Sequence, residues 1–94
     1  MCAMAVMLLS GCILTLTNND NLDSDLVYTV KVEGATVGGG VLPAGESTDI
    51  ILFTGGHVEV HGAAARDGLQ DTYEFDTIPG NRIYSVKWVG GFED

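Results

Sequence analysis

The sequence predicts an all-β fold, a small antiparallel β-sandwich of six to seven short strands, and three observations carry that expectation. Val, Thr and Ile outnumber the good helix formers Lys, Arg, Gln and Met, a balance that suits a pleated, half-buried surface. Apolar and polar residues alternate singly over short runs, the period of a strand with one buried face. Gly, Pro and Asn-rich turn segments separate those runs at roughly ten-residue intervals, the spacing of sandwiches and small barrels.

Taken in order, the chain first shows a segment that does not alternate. Met1 to Leu9 is almost wholly apolar, and no side-chain charge occurs before Asp20. That run is too short to span a bilayer by itself. After Cys12 the pattern changes: Leu14 and Leu16 alternate with Thr15 and Thr17, which is strand spacing. Residues 18–25, rich in Asn and Asp, read as a loop or short tether. The sandwich itself is expected over 26–94. Leu26, Tyr28, Val30 and Val32 point one way, and Val27, Thr29, Lys31 and Glu33 the other. Gly34 and the Gly38-Gly39-Gly40 cluster are expected to break the next segment as a flexible hairpin. Pro43-Ala44-Gly45-Glu46 is a turn, and 48–54 an apolar strand. Gly55-Gly56 then leads into His57–His61, with Val58 and Val60 inward. Arg66-Asp67-Gly68 opens a polar loop before 72–76, where Tyr73 and Phe75 take the buried side. Pro79-Gly80-Asn81 is a turn into 82–89, with Tyr84, Val86 and Trp88 inward. Trp88 reads as core rather than as a ligand platform.

Leu9-Ser10-Gly11-Cys12, at the end of the apolar run, resembles the lipobox of bacterial lipoproteins: an apolar residue, two small ones, then Cys. The resemblance covers residues 1–12. It implies a signal peptide at 1–11, cleavage before Cys12, and lipidation of the Cys12 thiol, so that residues 12–25 form the lipidated cysteine, a short strand and a polar tether. Leaders of that family begin with Lys or Arg, and here only the α-amino group is positive, which points to a basic segment upstream of Met1. Ile13 stands where an Asp would favour inner-membrane retention in the family. The resemblance therefore implies the outer membrane, on its periplasmic or its surface side. Two alternatives stay open: a marginal transmembrane helix over 1–17, or a buried segment of an ordinary domain. Downstream, "IPGNRIYSVKW" resembles the closing hairpin of prealbumin-like and immunoglobulin-like sandwich domains, an architectural likeness that carries no function.

Composition narrows the partners. The chain has 94 residues, 13 Asp and Glu against 4 Lys and Arg, and a net charge of −9. Nucleic acid and anionic lipid headgroups are poor partners for such a surface, whereas a basic protein would be drawn to it. Cys2 and Cys12 are the only cysteines, so the folded part has neither a disulfide framework nor a cysteine metal site.

His57, Glu59 and His61 share one strand face and are the candidate metal ligands, of the type zinc or copper takes. The outer histidines stand about 13 Å apart along a strand, so one ion could reach only two of the three, and no metal site is favoured. The alternative is a solvated face with Glu59 paired to a cross-strand Lys or Arg. Asp20, Asp23 and Asp25 lack the spacing of an EF-hand loop. Gly38–Gly40 lacks the Lys-Ser or Lys-Thr of a phosphate loop. No nucleophile elbow is present, and nothing supports Ser47 or Ser85 acting with either histidine, so catalysis is not expected and no cofactor is implied. The function expected is that of a binding or structural module of the cell envelope. The alternatives are an inhibitor or blocker of an envelope protein, such as a lysozyme-like enzyme or a phage receptor, and a weak metal-binding protein.

Overall fold

A computed structural model describes residues 12–20, 23–53, 55–78 and 82–93. Residues 1–11, which hold the expected signal segment, and the Pro79-Gly80-Asn81 turn lie outside the described residues. Among the described residues there is no helix, and eight strands form two packed sheets, a small β-sandwich. The strands are β1 (Cys12–Asn18), β2 (Leu26–Val32), β3 (Ala35–Leu42), β4 (Ser47–Leu52), β5 (His57–Ala64), β6 (Gln70–Asp76), β7 (Ile83–Trp88) and β8 (Phe92–Glu93). One sheet has the order β4-β1-β7-β8 and the other β3-β2-β5-β6.

Alternation decides which side chains meet between the sheets. Leu14 and Leu16 of β1, Leu26 and Val30 of β2, Val58 and Val60 of β5 and Trp88 of β7 are fully buried. Their strand neighbours Thr15, Thr17, Thr29, Glu59 and Lys87 lie on the outer faces. Tyr28, Tyr73, Phe75, Tyr84 and Phe92 pack against this core from its margins. Trp88 meets Phe92 edge to face, with ring centroids 4.9 Å apart.

Several expectations are corrected. Residues 13–17 belong to a strand, so they cannot continue a transmembrane helix from residue 1; among the described residues no helix is long and apolar enough to cross a membrane. That strand is also no appendage to a sandwich starting at residue 26. It lies between β4 and β7 and supplies Leu14 and Leu16 to the core, so the sandwich takes in residues from Cys12 onward.

The glycine cluster is not a hairpin either. The turn is made by Glu33 and Gly34, both at positive φ (52° and 83°), as a two-residue hairpin requires. Gly38, Gly39 and Gly40 lie within β3, past a bulge opposite Val30 and Lys31. Their lack of side chains has a packing reason. A Cβ on Gly38 would stand 3.2 Å from Ile50 of the opposite sheet, and Gly40 adjoins the Tyr28 ring.

Finally, "IPGNRIYSVKW" does not close a hairpin. β6 and β7 lie in opposite sheets, and β7 pairs parallel with β1 while its hairpin partner is the short β8. The parallel β1–β7 ladder is thus an exception in a fold expected to be wholly antiparallel, and β3 and β8 raise the strand count beyond six or seven.

Candidate functional site

The outer face of the β3-β2-β5-β6 sheet collects the titratable side chains singled out by sequence. Val58 and Val60 must enter the core, so the strand period turns His57, Glu59 and His61 outward together. The β5–β6 ladder sets His57 opposite Asp76, Glu59 opposite Glu74 and His61 opposite Thr72, and on the other side Lys31 of β2 faces Glu59.

The two histidines have different surroundings. His57 Nδ1 lies 2.8 Å from Asp76 Oδ1 and its Nε2 3.0 Å from Glu74 Oε1, while its backbone N–H donates to Glu33 Oε2 at 2.6 Å. A carboxylate can only accept, so satisfying both requires a proton on each ring nitrogen, the imidazolium form. The hydrogen bond that His57 donates to Asp76, then the one it donates to Glu74, accordingly raise the His57 pKa above its ordinary 6.5. His61 instead reaches Glu59 Oε1 through Nε2 at 3.0 Å and Thr72 Oγ1 through Nδ1 at 3.2 Å.

The expected pairing of Glu59 with a cross-strand Lys or Arg is therefore replaced. Lys31 stands opposite in register, yet the Glu59 carboxylate meets His61 on its own strand. Among the described residues no group of three or more His, Cys, Asp or Glu is arranged to hold a metal ion. His57, Glu59 and His61 are together on one face but divided into two separate hydrogen-bonded sets. Sequence reasoning missed Glu33, Glu74 and Asp76 as partners of His57. Counting outward in pairs from the Arg66-Asp67-Gly68 turn would have found two of them.

Beside His61 the sheet carries an open depression of about 190 Å³, lined by residues that include Val27, Thr29, His61, Gln70, Asp71 and Thr72. This is smaller than the roughly 300 Å³ at which sites for drug-sized ligands begin.

The remaining candidates disperse. Asp20 turns inward to the Trp88 indole, which donates from Nε1 to Oδ2 at 3.4 Å, whereas Asp23 and Asp25 stay exposed. Ser47 meets Thr17 Oγ1 at 2.9 Å, and Ser85 lies on the outer face of the β4-β1-β7-β8 sheet, across the sandwich from the histidine row. Cys12 opens β1, 2% exposed, in the inner row with Leu14 and Leu16. The chain matches no protein-family model and no curated protein.

Proposed function

We propose that the protein is a lipid-anchored lipoprotein of the bacterial cell envelope, acylated on Cys12, whose small acidic sandwich acts by binding another protein rather than by catalysis. The observation that carries the reading is the Leu9-Ser10-Gly11-Cys12 quartet, which closes an uncharged apolar run just before the alternation of Leu14 and Leu16 with Thr15 and Thr17 begins. More than one acyl chain on Cys12 makes such an anchor stable without any affinity of the acidic surface for lipid.

Two features support a protein partner with basic character. The net charge is −9, and the depression beside His61 and Asp71 offers acceptors for a Lys or Arg side chain. Blocking a basic wall-degrading enzyme is one form such binding takes.

The test is metabolic labelling with radioactive palmitate in a bacterium, with basic residues added before Met1. Label is expected on the protein and on the Cys2→Ala variant, and none on Cys12→Ala. The burial of Cys12 favours a second reading, in which Cys12 is a core residue of an unprocessed chain. Equal labelling of the Cys12→Ala variant, or no label at all, would establish that second reading instead.

A further inference from the structure

The end of the sandwich at which β1 begins is unusually apolar on its outside. Ile13 is the register partner of both Ile51 and Ile83, so three isoleucines stand side by side on the outer face of the β4-β1-β7-β8 sheet. Phe53, just past the end of β4, and Ile78, before β7, lie at the same end of the strands. Phe53 is 66% exposed, Ile83 63%, Ile78 53% and Ile51 48%. Single exposed apolar residues are ordinary on a protein surface, but a row of three in register, with two more at the same end of the strands, is the pattern of an interaction site.

Position argues what covers it. Residues 1–11, which hold no charged side chain, join the sandwich at Cys12, one residue from Ile13. With a rise of about 3.3 Å per residue and strands about 4.8 Å apart, the isoleucine row lies within about 10 Å of Cys12. No tether separates the anchor point from the fold, because Cys12 is itself a strand residue. Whatever holds residues 1–12 at a bilayer therefore holds this row there as well. Charge is arranged compatibly. Along that outer face the first carboxylate from the isoleucine row is Asp49, one register step further on and bonded to Thr15 at 2.8 Å. Asp23, Asp25, Glu46 and Asp67 lie at the far end. The acids that do share the near end, Glu33, Glu74 and Asp76, belong to the other sheet's outer face around His57.

We infer that Ile13, Ile51, Phe53, Ile78 and Ile83 form a membrane-docking surface that rests in the interfacial layer of the bilayer, with the β4-β1-β7 face leaning onto it and the acidic end turned away. The inference rests on the proposed N-terminal anchoring, and it adds a fixed orientation that a lipid on a loose tether would not impose.

The experiment places a tryptophan at each end of the full chain, Phe53→Trp near Cys12 and Leu69→Trp at the opposite end, with the unmodified protein giving the Trp88 background. The purified proteins, assayed for palmitate on Cys12, are reconstituted in phosphatidylethanolamine–phosphatidylglycerol vesicles with and without brominated acyl chains. Loss of most of the Phe53→Trp emission in brominated vesicles, with Leu69→Trp unaffected, is the expected result. The same result in protein without palmitate would retain the docking surface and discard the Cys12 lipid. Absence of quenching at Phe53→Trp in palmitate-bearing protein, or equal quenching at both ends, would overturn the docking surface and leave the anchor standing. A Phe53→Trp emission already blue-shifted without lipid and untouched by brominated chains would overturn it in favour of residues 1–11 covering the patch.

Discussion

Gly62 lies directly against Trp88: a Cβ placed on Gly62 would stand 3.0 Å from Cζ3 of the indole, and only 2.8 Å from Cζ of Phe92. Gly62 continues the inner row of Val58 and Val60, so its missing side chain is the space that the Trp88–Phe92 pair fills. Gly62→Ala forces two rings apart in a close-packed core, at a cost of about 1–3 kcal/mol. Urea unfolding should show a lower midpoint with an unchanged slope. An unaltered midpoint would mean that the rings have room to spare.

Asn18 ties the far end of the sandwich together. Its buried Nδ2 donates to the carbonyls of Ser24 and Leu42, both at 2.8 Å, and its Oδ1 accepts from the Asp20 N–H at 3.1 Å. Asn18→Ala strips three backbone groups of these partners, and each such group left buried without a substitute costs about 1–3 kcal/mol. The loss should exceed that of Asn19→Ala, where the side chain is exposed. Thermal melts of the two variants side by side make the comparison.

The surroundings of His57 set a pH dependence with a definite sign. Its folded-state pKa is raised above 6.5 by Asp76 and Glu74. The stabilisation is therefore complete below the unfolded value and disappears as pH rises through the higher folded value. The difference in unfolding midpoint between the protein and His57→Gln should be largest in acid of that interval and vanish above it. Asp76→Asn should lower the His57 pKa in an NMR titration. A difference that grows with pH would reverse the assignment.

Metal should leave stability unmoved. Both ring nitrogens of His57 and both of His61 already carry partners, and the two sets do not converge. A ligand at a hundredfold excess over its dissociation constant stabilises by about 2.7 kcal/mol, a Tm rise of more than about 10 °C in a domain of this size. No such rise is expected with micromolar zinc or copper. A rise of that size, lost in both His57→Ala and His61→Ala, would make metal handling the leading function.

What the sequence disclosed was the alternation, and what it hid was the pairing. A period of two is local, so the inward turn of Val58, Val60, Tyr84, Val86 and Trp88 was legible residue by residue. Gly38–Gly40 misled because glycine marks a turn and a close approach alike. Only the presence of Ile50 in the other sheet, which no neighbouring residue announces, makes the second meaning the right one. The crossing between β6 and β7 was hidden similarly, since the alternation within each strand does not say which sheet the strand joins. For the candidate site, the shared face of His57, Glu59 and His61 followed from spacing. The capture of His57 by Asp76 and Glu74 needed the ladder register.

The parallel ladder of β1 and β7 has a bearing on how the molecule comes into being. Ile13 and Ile83, near opposite ends of the chain, are neighbours in one sheet, and β1 stays without its β7 partner until the last strands have been synthesised. Contacts of such long sequence separation form slowly, because the intervening loop must be closed before any pairing rewards it. A nascent chain emerging from the ribosome thus cannot complete the β4-β1-β7-β8 sheet early. β1 can take β4 as a first partner once residue 52 has been made, but its other edge stays open until β7 follows, so this sheet closes last.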